Sequence, residues 1–519
     1  MDGGASTFRT GTAARKSLGA WATPPELIEF LLDEVLGPAV AARRDLQGFH
    51  VLDPACGDGR ILEAVLHRLS PRFGEQAARR ALHGIELHPP TAEAARRSLG
   101  IGADQLATGD ARIIGAELTT GFDVVLGNPP YLNQLAAATS RAGRSALGGG
   151  PYADVAVEFL ALALRMARPD GGRVGLVLPA SVLATRDAAP VRRQVLELCA
   201  LDGLWWVGER VFDASVRTIV ATMSRGRLAG PMRRWTGVPA TLAPATAPPT
   251  ATTTTWGPLV ADLLGIPQVT LDSSAGRIGD VATALTGFRQ HFYGLAPYVA
   301  DDSEPGSAGD GGSRPRAAST SRAPLVTSGL IDVGRCRWGR RPARFARSTF
   351  ARPQVDLVAL EAGDPRLGEW VRARLVPKVV VASQTLVIEA AVDEAGAWVP
   401  SVPVIALVPR DDGSRAVSLS ELCVALCAPP LSAWAASRGV GAALTPDAIK
   451  LRPDELLDLP LPSGSLAGAA EHLRAGRIER CAEEAMKAYG FDDETLLRWW
   501  SSRARHRRSR VTPSAVPGS

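Results

Sequence analysis

Between Phe49 and Arg225, short apolar runs alternate with amphipathic segments, and this alternation constrains the fold more than any other feature of the chain. "FHVLDPACGDG" reads as a strand running into a glycine-rich turn, and "RILEAVLHRL" places apolar residues at helical spacing. "LHGIEL", "FDVVLG" and "GRVGLVLP" repeat the strand pattern, while "TAEAARRSL" and "ADVAVEFLALALRMA" repeat the helical one. Such an order predicts a doubly wound α/β fold on a mostly parallel sheet. "GLWWVGERVF" and "RTIVATMSR" follow each other with no helix between, which predicts an antiparallel hairpin at the sheet edge.

A chain of 519 residues is longer than one such sheet needs, and predicts about two to four domains. The α/β region is expected over 1–235. Gly237 to Thr255 is rich in Pro, Ala and Thr and carries no charge, so 236–275 reads as a linker. A second, α+β region is expected over 276–465, interrupted at about 301–323 by a polar Gly/Ser-rich insertion that reads as mobile. A helical segment over 466–500 and a disordered basic tail over 501–519 complete the expectation.

No run of eighteen apolar residues is present, and the N-terminus has no apolar signal core, so a membrane location is not expected and a cytoplasmic one is. The six cysteines form no CxxC pair; Cys423 and Cys427 read as neighbours on one helix, and no metal site is expected. The net charge of +5 is mild, but its distribution is uneven: ten arginines between Arg314 and Arg352 face one acid, Asp332.

Two stretches carry chemistry. In "VLDPACGDGRIL" a strand ends at Asp53, a turn of small residues follows, and a helix starts near Arg60. Glycines there let a ligand approach the backbone, and the helix start offers free N–H groups. The loop lacks the lysine of a triphosphate-binding loop and the GxGxxG of a dinucleotide site. It suits a nucleoside without a pyrophosphate. Glu86 ends the next strand, where a ribose diol would be read. Asp110 in "TGDAR" precedes a further strand and is placed to accept from an adenine amino group. In "FDVVLGNPPY" a buried strand ends on Asn128, two prolines and Tyr131. Pro129 and Pro130 donate no hydrogen bond and have fixed φ, so they stiffen the turn that carries Asn128.

Together these residues resemble the amino-methylating DNA methyltransferases that use S-adenosylmethionine. The resemblance lies in Asp53-Pro54-Ala55-Cys56-Gly57-Asp58-Gly59, Glu86, Asp110 with Ala111, and Asn128-Pro129-Pro130-Tyr131. "WATPPELIEFLLDEVL", with Thr23 and Pro24, looks like the family's N-terminal cofactor motif. The motif order resembles the TaqI-like N6-adenine branch, and "GDVATALTGFRQHFY" and "PDELLDLPLP" resemble the start and end of its target-recognition domain. The resemblance implies a Rossmann-like catalytic domain, a C-terminal α+β recognition domain, S-adenosylmethionine as methyl donor and duplex DNA as partner.

It also implies how the motif works. An adenine N6 lone pair is conjugated into the ring. Acceptance of both N–H bonds, by the Asn128 side-chain oxygen and the Pro129 carbonyl, would free it, and the stiff turn would hold both acceptors in place. The base must leave the duplex. Tyr131 offers one face for it and, by resemblance, Phe212 the other, with core packing at a hairpin as the alternative for Phe212. Arg335, Arg337, Arg340 and Arg341 are expected to contact DNA; alternatively they form a solvated surface. Cytosine N4, RNA or a protein glutamine stays open as acceptor, and a catalytically silent DNA-binding subunit stays open as the alternative to an enzyme. Only about twenty residues precede "WATPP", so methylation without cleavage is expected, with any restriction or defence nuclease on a separate chain.

Overall fold

In a computed structural model the protein divides into two units, Met1–Leu263 with Val440–Ala442, and Leu264–Gly439 with Ala443–Ser519. The structure describes residues 22–117, 121–131, 147–151, 153–208, 216–227, 229–250, 253–287, 289–302, 321–410, 417–443 and 448–509.

The first unit is built on nine strands: β1 (Val51–Asp53), β2 (Leu82–Glu86), β3 (Leu106–Thr108), β4 (Val124–Gly127), β5 (Arg173–Pro179), β6 (Cys199–Trp206), β7 (Thr218–Arg225), β8 (Met232–Thr236) and β9 (Thr241–Thr246). They lie in one sheet in the order β3-β2-β1-β4-β5-β7-β6-β8-β9. The pairings from β3 across to β5 are parallel. Strands β1, β4 and β5 are almost wholly buried, which is why they read as continuous apolar runs and not as alternations. Around the sheet run α1 (Pro25–Leu31, continued by a π turn over Leu32–Leu36), α2 (Arg60–Phe73), α3 (Glu75–Ala81), α4 (Pro89–Leu99), α5 (Ala111–Glu117), α6 (Val155–Met166) and α7 (Ala189–Leu198). Strand order reverses between β1 and β4, so a crevice opens at their carboxyl ends.

β6 and β7 pair antiparallel as expected, but β7 inserts between β5 and β6 and the hairpin is interior. The edge is taken by the segment that composition marks as a linker. β8 pairs parallel with β6, and β9 pairs antiparallel with β8. Backbone pairing needs no apolar side chain, and arginines of the first unit hold the remainder: the Arg234 guanidinium donates to the carbonyls of Pro244 at 2.8 Å and Leu259 at 3.0 Å, and Arg192 to that of Thr254 at 2.8 Å. Phe30 of α1 packs 4.6 Å from Trp205 and edge-on at 4.9 Å from Trp235, and the Trp205 indole donates to the Gly237 carbonyl at 2.8 Å. α1 is thereby fixed to the sheet, and with it the turn at Thr23 and Pro24.

The second unit is α+β. One four-stranded sheet has the order β10 (Ala282–Leu285), β21 (Ile405–Pro409), β18 (Lys378–Val381), β19 (Ala390–Asp393). A second has β11 (Val299–Asp301), β17 (Pro353–Asp356), β12 (Arg322–Val326), β20 (Val399–Pro400). Two short hairpins are present, β13 (Ile331–Asp332) with β14 (Arg335–Cys336), and β15 (Ala343–Phe345) with β16 (Ser348–Phe350), and Gln384–Thr385 pairs antiparallel with Ile449–Lys450. Helices follow as α8 (Leu357–Gly363), α9 (Pro365–Arg372), α10 (Leu419–Cys427), α11 (Pro429–Arg438), α12 (Ala467–Arg474), α13 (Ile478–Ala488) and α14 (Glu494–Ser509). Most of the expected insertion lies outside the described residues, but β12 begins at Arg322, inside its expected end. The chain also stays helical past Ser501, through Ser509: Trp499 and Trp500 are buried and anchor the helix, and arginine continues it at little propensity cost. Among the described residues no single helix is long and apolar enough to cross a membrane; α10 and α11 pass such a test only as a pair bent by 54°.

Candidate active site at the ends of β1 and β4

Asp53 ends β1 and is 1% exposed. Its Oδ1 accepts from the Ala55 backbone N–H at 3.0 Å, which folds the loop back over the strand end. Burial pushes its carboxyl up to about 7; the Ala55 hydrogen bond opposes this, and the nearby Glu86 adds to it. β4 passes beside it. A Cβ built on Gly127 would lie 2.6 Å from Asp53 Oδ1, so only glycine lets the two strand ends approach this closely. Pro54 is buried, with its ring beside Gly127.

The loop after Asp53 is closed by hydrogen bonds to the next strand. Cys56 N–H donates to the Ile85 carbonyl at 3.0 Å, and Gly57 N–H donates to Glu86 Oε2 at 3.1 Å. The other oxygen of Glu86 accepts from His88 N–H at 2.9 Å. Gly57 has φ +55°, and a Cβ on it would meet nothing within 4 Å, so the loop faces open space. Gly59 caps α2 in the left-handed conformation. Glu86 is therefore a positioned carboxylate at the rim of an open loop. Beyond it Leu87 is 55% exposed, and past β3 Ile113 is 67% exposed. Large apolar side chains left in water close to two acids are a feature the sequence does not announce; the signal was their position directly after Glu86 and three residues after Asp110.

Asp110 accepts from Arg112, through the backbone N–H at 2.9 Å and the guanidinium at 2.6 Å. The arginine holds the carboxyl below the usual range. Arg112 also reaches Glu158 Oε2 on α6 at 3.0 Å, a carboxylate only 7% exposed. Asp110 thus uses much of its acceptor capacity on its own loop. Ala111, next to it, is 4% exposed and starts α5.

Asn128 follows β4 directly. Its Nδ2 donates to Thr23 Oγ1 at 3.2 Å, and its Oδ1 is shielded from bulk solvent. Thr23 therefore engages Asn128, although its motif pointed to the cofactor, while the Pro24 carbonyl accepts from Leu27 and Ile28 at the start of α1. Pro129 is buried and Pro130 is partly so. The Tyr131 hydroxyl is buried, which raises its pKa; the Thr218 hydroxyl at the start of β7 partly offsets this. Phe212 lies outside the described residues.

The arginines of the second unit divide into two groups. Arg337 Nε donates to Asp332 Oδ2 at 2.7 Å, and Arg341 Nη1 to Asp332 Oδ1 at 3.0 Å. Arg335 donates to the Gly476 carbonyl. Three of the four candidate DNA contacts are thus spent on holding the unit together, because counting charges in sequence does not reveal their partners. Arg340 remains exposed.

A model of the family described as N-6 DNA Methylase matches residues 8–234. The chain is 33% identical over 122 residues to the Type II methyltransferase M.TthHB8I of Thermus thermophilus, covering 23% of each chain. It is 29% identical over 206 residues to the Type II methyltransferase M.XhoI of Xanthomonas vasicola, covering 34% of this chain and 37% of that one. These stretches span well under two thirds of either relative. In fold, the Type IIL restriction–modification enzyme MmeI, solved in complex with DNA, superposes with a TM-score of 0.59 at 11% identity over 96% of this chain and 80% of that one. Strands β1 to β7, the acid-bearing loop after β1 and the Asn-Pro-Pro-Tyr turn after β4 all sit inside residues 8–234, the segment that matches the N-6 DNA methylase family.

Proposed function

We propose that the chain is a site-specific methyltransferase acting on the N6 amino group of adenine in duplex DNA, with S-adenosylmethionine as methyl donor, in restriction–modification. The observation that carries the reading is the juxtaposition at the switch point. A buried carboxyl group ends β1, a tethered carboxamide follows β4, and Gly127 leaves no side chain between them.

Bound S-adenosylmethionine supplies an electrophilic sulfonium methyl group. The residues present fit its adenosyl half. The loop 53–59 opens to free space at Gly57, Glu86 can accept from two ribose hydroxyls, and Leu87 and Ile113 offer apolar faces to a purine. The remaining acceptor capacity of Asp110 suits an exocyclic amine, with Arg112 keeping the carboxylate ionised.

The amine of the acceptor base needs two acceptors and no added charge. Asn128 Oδ1 and the Pro129 carbonyl serve, since an amide oxygen and a peptide oxygen that accept the two N–H bonds push electron density onto the nitrogen while the site stays neutral. The prolines keep the backbone from relaxing as the nitrogen pyramidalises. Orientation toward the methyl group supplies much of the remaining rate. A base inside a duplex cannot reach such a turn, so it is flipped, with Tyr131 as a stacking face. The sequence relatives are named Type II methyltransferases, which supports methyl transfer as the activity; any cleavage is assigned to a separately encoded nuclease.

The test is a competition. The protein is incubated with S-adenosylmethionine labelled in its methyl group and with duplex DNA, RNA and bulk protein together. Label should enter duplex DNA as N6-methyladenine; label confined to RNA or protein contradicts the reading.

A further inference from the structure

The β15–β16 hairpin is built unusually for its sequence. Phe345 pairs with Ser348, which leaves Ala346 and Arg347 as a two-residue turn. Both have positive φ, +47° and +72°. This is the backbone of a tight turn that normally takes Asn-Gly or Asp-Gly, because glycine adopts it without a clash. Here the second position is an arginine. Strained backbone of this kind marks a position where something other than the turn requires the side chain.

The surroundings say what that is. Phe345 is 2% exposed and packs edge-on at 4.6 Å against Phe292, and Ala346 packs against the same cluster, so the tip is anchored and stiff. Arg344, Arg347 and, upstream, Arg340 are exposed, and none of their side chains has a hydrogen bond or ion pair among the described residues. No acid lies between Asp332 and Asp356 to neutralise them. Their neighbours Arg337 and Arg341 are held by Asp332, so the free guanidinium groups are confined to the hairpin side.

Resting on the DNA reading above, we propose that this hairpin is a base-reading probe. A two-stranded ribbon fits the major groove, and a guanidinium held at a fixed tip can donate both bonds to the O6 and N7 of guanine. Arg347 reads guanine; Arg344 and Arg340 hold the flanking phosphates. A phosphate contact alone would need no strained backbone, since a flexible arginine meets a phosphate from many poses.

The test selects bound duplexes from a randomised library and reads their consensus, a measurement independent of methyl transfer. The unaltered chain should select a motif containing guanine. Arg347→Gly and Arg347→Asn both suit the left-handed conformation. Each should unfold at an unchanged or higher temperature and select the same motif with one G·C position degenerate, discrimination there falling by about tenfold or more. Arg344→Ala should keep the motif and bind with a shallower salt dependence. An unaltered motif from both Arg347 variants, or no motif from the parent chain, overturns the proposal. A motif selected by a chain that methylates nothing would sink the methyltransferase reading and leave the hairpin standing.

Discussion

The carboxamide nitrogen of Asn128 stands 3.2 Å from the hydroxyl oxygen of Thr23, a residue 105 positions earlier in the chain. A carboxamide can present either end to a ligand. With its nitrogen donating to Thr23, it presents its oxygen, which is the end an amine needs. Thr23→Val should keep the shape and lose the tether. One neutral hydrogen bond contributes about 1 kcal/mol, so single-turnover methyl transfer should slow by about fivefold. Calorimetry should find cofactor affinity little changed, and Thr23→Ser should restore the rate. A loss of cofactor affinity with an unchanged rate would return Thr23 to the cofactor.

Asp53 predicts an unusual pH dependence of stability. Its carboxyl is pushed up to about 7 in the folded chain, from an ordinary value of 3.8. Between these values the folded state holds a proton that the unfolded state has released, so this group makes the fold less stable as pH rises from about 4 to about 7, by an amount on the order of a few kcal/mol. Asp53→Asn removes the effect. Its unfolding temperature relative to the parent should rise between pH 5 and pH 8, while cofactor binding weakens. A constant difference across that range would contradict the assignment.

Arg112 couples the adenine side of the site to α6, since it bridges Asp110 and the buried Glu158. Arg112→Ala strands a carboxylate that is 7% exposed. A fully buried broken pair costs about 3–5 kcal/mol. The arginine side chain is 40% exposed, so screening reduces the expected loss to about 1–2 kcal/mol. Thermal unfolding should show this loss, and Arg112→Met combined with Glu158→Gln should recover much of it. Cofactor affinity should fall in both variants, because Asp110 loses its orientation.

The parallel sheet was legible because β1, β4 and β5 are buried and must be apolar throughout. The Asn-Pro-Pro-Tyr turn was legible because its residue types admit few other uses. Pairings between distant residues were not. Glu158 in "ADVAVEFLALALRMA" looks like an isolated acid on a largely apolar helix, and nothing in the sequence ties it to Arg112, 46 positions away. β9 was hidden because a Pro/Ala/Thr-rich segment shows no period, although its backbone can still pair with β8. The pairings within the arginine-rich stretch were hidden for a related reason: Asp332 accepts from both Arg337 and Arg341, and a ratio of charges does not reveal such a pairing.

The most direct test is to express the parent chain and its Asn128→Ala variant in a host without DNA methylation and to map modified bases by single-molecule sequencing. The parent should place N6-methyladenine at one short sequence throughout the genome. The variant should leave no modified base, while still binding duplexes of that sequence. Unmodified DNA from the parent, or methylation that survives the loss of the carboxamide, would contradict the account.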